Sequence, residues 1–458
     1  MTPLHQQRAP LELTPDALSA LGRVQADILQ DHDRRHAVLL FVHLGDDRAS
    51  ARRWLADIAP LLTSAADQLE QRASGGDPGT LHTVALSGRG YALLGLDDPS
   101  TFLETGLDSQ PCSPLREGMA ARRRVLAHDP PPSAWSPDLQ QATPASVIHA
   151  LVTVAVDDWV HAQAAATSIA RSLPAVGRLV ARRDGHRLRR GHHAIEHFGF
   201  RDGISQPRFL AHEVREESAT LGTSIWNPSS GPGNVLAPDP FGGDGDAGSM
   251  IVFRQLEQDV PAFLRQEEAL CRALGATTPE ARERVEAMII GRTRAGVPLL
   301  AANARSENDF DFTGDNAPPF LCPAHSHIRK ANPRSDRAIR DNFRDRRIAR
   351  RGMPYGVDPD TLTALPGDDV ERGLLFVCCQ RSISTQFEYI QAHWFDDGEF
   401  PMPLTGQDPL LGSASGGAQK WPAAPDGGTI RFGFGDAVHM RGGEYFFAAS
   451  LPFFRALG

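Results

Sequence analysis

Short apolar runs punctuate this chain of 458 residues, and their spacing constrains the fold more than any other feature. The segments 37–44 (AVLLFVHL), 81–86 (LHTVAL), 146–156 (SVIHALVTVAV), 249–254 (SMIVFR), 373–380 (GLLFVCCQ) and 444–449 (EYFFAA) are short, apolar and bounded by polar residues. Each is read as a strand. Between them, 50–72 carries apolar residues at helical spacing and stops near Gly75 and Gly76. Segment 158–171 opens with acidic residues, as a helix N-terminus favours. Segments 260–274 and 279–291 read as two amphipathic helices, and 385–393 also looks helical. Strand, helix, strand, then strand and helix is the order of a ferredoxin-like α+β unit. The second half repeats that order with larger insertions. The expected division is 18–185 and 190–458, with an insertion around 215–300. The Pro-rich stretch 130–137 is a loop, and 227–248, rich in Gly, Pro and Asp, is expected to be a long surface excursion.

Charge and cysteine usage exclude several classes. The net charge of −9 gives a nucleic-acid partner no global support, and local basic runs such as 346–351 are too few to reverse it. No run approaches the ~18 apolar residues of a membrane span. Residues 1–16 lack the features of a secretory signal, and the apolar run after Arg34-Arg35 belongs to a strand pattern. The five cysteines, Cys112, Cys271, Cys322, Cys378 and Cys379, are odd in number and scattered, with no disulfide framework or zinc ribbon. A reducing, cytoplasmic setting is the expectation.

Three segments carry candidate chemistry. In 309–334, His325 and His327 stand beside Arg329, Lys330 and Arg334. Imidazole is a common iron ligand, and basic neighbours suit an anionic cofactor. His-x-His equally suits two zinc or copper ligands on one strand face. In 192–207, Asp202 sits in a glycine-bounded loop where backbone can approach a ligand closely, although most Asp-Gly pairs are simple turns. His193 and His197, four apart, would form a metal pair only on a helix. In 346–356 (RRIARRGMPYG), Arg350 or Arg351 precedes a Gly-x-Pro-Tyr-Gly turn that would hold it rigidly.

Together these segments resemble the dye-decolorising peroxidases. Gly199-Phe200-Arg201-Asp202-Gly203, continued by Ile204-Ser205-Gln206-Pro207, is similar to that family's Gly-x-x-Asp-Gly motif. Cys322-Pro323, His327-Ile328-Arg329 and Asn332-Pro333-Arg334 resemble its proximal region. Arg350-Arg351-Gly352 matches its distal arginine turn, and Gly373-Leu374-Leu375-Phe376 its Gly-Leu-Leu-Phe strand. Segments 87–97 and 129–135 are weaker matches. The large insertion and Gln386-Phe387-Glu388-Tyr389 resemble the longer bacterial and fungal subgroups.

The resemblance implies two ferredoxin-like units with antiparallel sheets, as in a dimeric α/β barrel, with haem b in the second. It implies His327 as iron ligand, its other nitrogen held by Glu388 or Asp396. Haem contacts are expected from Gly203, Ile204, Ser205, Arg292, Arg329, Asn332, Arg334 and Arg350, with Leu374 and Phe376 sharing one strand face as a wall. Asp202 would shuttle the peroxide proton, and Arg350 would stabilise charge on the leaving oxygen. An ordinary aspartate titrates near ~3.9, so acidic optima are expected. Hydrogen peroxide and small aromatic donors such as dyes and phenolics would be the partners, for a monomer or homo-oligomer. Bulky donors would reach the haem through oxidisable side chains, from the set Trp226, Trp394, Tyr355, Tyr389 and Tyr445. Two rivals stand beside this reading. A haem carrier or haem-iron releasing protein would keep His327 without needing Asp202 and Arg350 together. A non-haem metal enzyme would use His193, His197, His325 and His327.

Overall fold

The computed structural model describes residues 2–75, 78–99, 113–300, 308–313, 315, 321–334, 343–357, 371–412, 417–423 and 428–458. Its strands β1 (His36–His43), β2 (Leu81–Leu86), β3 (Ala150–Val156) and β4 (Arg178–His186) stand side by side in the order β4-β1-β3-β2. Strands β5 (Ala247–Gln258), β6 (Met353–Tyr355), β7 (Gly373–Gln380) and β8 (Val438–Ala448) repeat it as β8-β5-β7-β6. Fourth, first, third, second is the ferredoxin-like arrangement. All of these pairings are antiparallel. Strand β2 meets β8 at Leu86 and Phe447, and β4 meets β6 at Gly185 and Tyr355, so the two quartets close into a ring.

Side-chain alternation explains why the ring holds. One face of β1 sends Leu39 and Phe41 inward, where the Phe41 ring lies 4.7 Å from Phe253 of β5 and 6.4 Å from Phe446 of β8. The other face sends Val38, Leu40 and Val42 outward against helices. Helix α1 (Arg48–Ile58) buries Trp54, Leu55 and Ile58 there, each contributing about 1.5–3 kcal/mol when fully covered. Helix α3 (Trp159–Ser172) adds Ala162, Ala166 and Ile169 and is capped by Asp158, whose carboxylate accepts from His161 N–H.

The expected single helix over 50–72 is two. Pro60 lies in a short 3-10 turn, Ala59–Leu61, and Ser64 then starts α2 (Ala65–Ser74) with a capping box to Asp67. Strand β4 escaped the sequence reading because Arg178, Arg182, Arg183 and Asp184 interrupt its apolar residues, with only Ala181 and Gly185 buried along Arg178–His186. Strand β6 occupies the expected Gly-x-Pro-Tyr-Gly turn. Segment 227–248 is not a surface excursion either. Its Gly231, Pro232, Gly233, Val235, Leu236 and Ala237 are buried beneath the N-terminal segment. A Cβ on Gly231 would stand 2.3 Å from the Gln7 carbonyl oxygen, which is why glycine is needed there.

Helices α4 (Val260–Ala273) and α5 (Pro279–Ile290) follow β5, and α5 ends at Gly291 with φ 98°. Among the described residues the cysteines Cys271, Cys322, Cys378 and Cys379 are buried and form no disulfide with one another; Cys112 lies outside those residues. No described helix is long and apolar enough to cross a membrane.

Candidate active site

A cavity of about 360 Å³ lies against the outward face of the second quartet. Alternate residues of β5 (Arg254, Leu256, Gln258) and of β7 (Leu374, Phe376) form one wall. His327 and Ile328 of α6 (His327–Ala331) also line the cavity, as do Phe387, Ile390 and Phe395. Phe387 and Phe395 come from two π-helical turns, Ile383–Glu388 and Gln391–Phe395, and Ile390 lies between them, in the segment expected to be helical.

His327 points its ring at this cavity and anchors it behind. Its Nδ1 lies 2.9 Å from Asp408 Oδ2, and Phe395 stacks on the ring at 5.5 Å. Asp408 is buried, and its Oδ1 accepts the amides of Leu410 and Leu411 at 2.8 and 2.9 Å. Burial pushes this carboxyl up, but the His327 ring and the two amides together hold it below its ordinary value. The supporting carboxylate is thus Asp408, neither Glu388 nor Asp396. Glu388 is fully buried elsewhere, bonded to Arg122 at 2.8 and 2.6 Å and to the Tyr445 hydroxyl at 3.1 Å. Asp396 accepts from the Gln391 amide at 3.3 Å, and burial raises it to about 6.

The rival histidines are placed elsewhere. His325 is fully buried off the cavity, its ring 4.3 Å from Trp421, and burial pushes it down to about 3. His193 lies on a short strand, His193–Ile195, and His197 gives Nε2 to the Tyr355 carbonyl at 2.8 Å. The helix that would have paired them does not form.

Asp202 lines the same cavity. Its Oδ1 accepts Gly203 N–H at 2.6 Å and lies 3.4 Å from Arg350 Nη1. Gly199, Gly203 and Ser205 hold positive φ of 87°, 80° and 62°, bending the loop around the carboxylate. Arg350 is fixed twice. Its Nη2 donates to Ile204 O at 2.7 Å, and the Gln206 amide exchanges bonds with its backbone at 3.2 Å. Arg350 pairs with Cys378 across to β7, so its neighbour Arg351 faces away and donates to Asp27 O and Ile28 O. Register, not composition, selects Arg350.

A third group gathers at one corner. Asn308 Oδ1 receives Arg334 Nη2 at 2.6 Å, Ser205 Oγ at 2.5 Å and Arg292 Nη2 at 3.2 Å. Burial, then Arg292 and Arg347, push Arg334 well below the ordinary arginine range. Two guanidiniums, of Arg334 and Arg347, lie 4.3 Å over the Trp226 ring, whose buried Nε1 has no acceptor among the described residues. Asn308 was missed in the sequence because nothing local marks it.

Gly203, Ile204, Ser205, Arg292, Asn332, Arg334 and Arg350 all line the cavity. Arg329 does not. It is fully buried on Asp315 Oδ2 at 3.0 Å and Cys322 O at 2.7 Å, where it braces the loop before His327. Of the oxidisable side chains, Trp226 lines the cavity; Trp394, Tyr355 and Tyr445 are buried, and Tyr389 is half-buried under Arg346.

The arrangement fits a haem. An imidazole with one nitrogen tethered leaves its other nitrogen for iron. The apolar walls suit a porphyrin face. Desolvated guanidiniums and an indole N–H without an acceptor suit its carboxylates.

Comparison with known proteins agrees. Residues 281–400 match the family described as Dyp-type peroxidase, C-terminal. The chain is 34% identical to the multifunctional dye peroxidase DyP2 of Amycolatopsis sp., over 97% of each. It is 31% identical to the dye-decolorizing peroxidase msp1 of Mycetinis scorodonius, over 98% of this chain and 91% of that one. A solved DyP-type peroxidase of Anabaena sp. superposes with a TM-score of 0.85 at 32% identity, covering 96% of this chain and 95% of its own. The chain belongs to the dye-decolorising peroxidase family.

Proposed function

We propose that the protein uses hydrogen peroxide to oxidise dyes, phenolics and other one-electron donors on a haem b held in this cavity. One observation carries the reading. A carboxylate-tethered imidazole and a carboxylate–guanidinium pair line the same cavity. His327 would bind the iron. Arg292 and Arg334 would hold the porphyrin carboxylates, and Gly203, Ile204, Ser205, Asn332, Leu374 and Phe376 would contact the ring. When bound, the haem supplies the electrons that reduce peroxide and recovers them from the donor. Asp202 takes the proton from one peroxide oxygen and returns it to the oxygen that leaves. Arg350, always charged, stabilises the negative charge growing on that oxygen.

We further place the boundary between two ferredoxin-like units at 18–185 and 190–458, which the repeated strand order supports. Buried cysteines without disulfides among the described residues support a cytoplasmic setting.

Stopped-flow absorption of the haem-loaded protein with peroxide tests the activity. Asp202→Asn and Arg350→Leu should each keep the Soret band and slow the reaction with peroxide by about 10²–10⁴-fold. Wild-type rates in both would favour a haem carrier.

A further inference from the structure

A second constellation lies off this cavity, at the end of the β1–β4 pair. His36 and His186 stand directly opposite each other in the register of the two strands. We infer that these two histidines bind one divalent late-transition metal ion, of the Zn2+ class, through their Nδ1 atoms.

The separation suits one shared ion. The Nδ1 atoms are 3.3 Å apart. Two nitrogens that each lie ~2.0–2.1 Å from a tetrahedral zinc ion stand roughly 3.3–3.4 Å from one another. The observed gap matches a shared ion, which would replace the hydrogen bond that the two rings otherwise share.

The pair is also held in place. Trp159, the first residue of α3, packs its ring 5.4 Å from His36 and 5.2 Å from His186. Both imidazoles are half-buried, so an ion would displace little water and the rings would lose little freedom on binding. The charged groups around His36 are Asp157 and Asp158, which favour a cation, and Arg35, which opposes one. Asp157 holds Arg35 N–H through Oδ1 at 2.8 Å, and Asp158 caps α3. Burial and the facing His186 ring keep His36 below the ordinary imidazole range, so its lone pair is available at neutral pH. Water fills the remaining coordination positions.

The cluster Asp27, Asp31 and His32 is the competing candidate, its ligand atoms all within 4.8 Å. Its chemistry is less favourable. His32 Nδ1 already accepts Arg34 N–H at 2.9 Å, so its proton sits on the other ring nitrogen and must be lost before that nitrogen can ligate.

Titration calorimetry of the haem-loaded full chain with zinc chloride tests the site. Wild type should bind one equivalent that raises the unfolding temperature. His36→Gln and His186→Gln should each weaken it at least tenfold while leaving the Soret band and peroxide turnover intact. His32→Gln should keep it. His36→Cys should restore it, because a thiolate is also a zinc ligand. No heat with wild type, wild-type affinity in either glutamine variant, or loss confined to His32→Gln would overturn the assignment.

Discussion

Asp408 Oδ2 accepts from His327 Nδ1 at 2.9 Å across 81 residues of sequence, so the orientation of the candidate iron ligand is set from a distant loop. Replacing Asp408 with alanine frees the ring to turn and lowers its basicity. Haem affinity or peroxide reactivity should fall about 10–100-fold. Haem titration followed by rapid mixing with peroxide separates the two effects.

The two histidines of 325–327 should part cleanly. His327→Ala should abolish the Soret band. His325→Ala should keep it, because that ring packs on Trp421 outside the cavity. It should cost about 1–3 kcal/mol of stability through the void left behind. Haem loading and chemical denaturation, measured side by side, check both. Equal haem loss in the two variants would remove His327 as ligand.

A pair of neighbouring carboxyls gives a pH signature. Burial raises Asp27 to about 8, while the charges of His32, Arg351 and Arg187, working against burial, hold Asp31 at about 2. Asp27 therefore keeps its proton in the folded protein at neutral pH and loses it when unfolded. The folded state binds more protons between ~3.8, the unfolded value, and about 8. Its contribution to stability is complete below ~3.8 and is lost as pH rises through about 8. Asp27→Asn keeps an acceptor for His32 N–H and removes the titration. The variant should gain on wild type in melting temperature as pH rises from 4 towards 8. Parallel curves would refute this.

Electron donation should discriminate among the aromatic residues. Guanidiniums lie over Trp226 and, at 3.7 Å, over Tyr389, and positive charge opposes removal of an electron from the ring. Tyr445 instead donates its hydroxyl to Glu388, which can take the phenol proton. Paramagnetic resonance after peroxide addition should show an unchanged protein-radical signal in Trp226→Phe and Tyr389→Phe, and a diminished tyrosyl component in Tyr445→Phe.

What the sequence revealed follows physical lines. Strands β1, β2 and β7 were legible because both of their faces are covered, which demands continuous apolar residues. Strand β4 was not, because Arg182 pairs with Asp184 on the same strand and Arg183 with Asp138, and these charges hide the alternation. Asp202, His327 and Arg350 were legible through motif resemblance, and the structure brings them to one cavity. Asp408 and Asn308 were not, since their partners are distant in the chain and no local spacing announces them. Arg329 was misplaced for the opposite reason. It sits within a recognised motif, but two residues of helix turn it by about 200° from His327, away from the cavity and into the protein.

The closed ring of strands bears on what happens when the cavity is empty. Its hydrogen bonds run from β4 through β8 to β6 and back, and none depends on the cofactor. Loss of haem would uncover a pocket on the flank of the barrel without opening a rim of unpaired backbone along it. Such a body has little tendency to recruit neighbours edge to edge, so an apoprotein built this way can persist as a receptive vessel until porphyrin arrives.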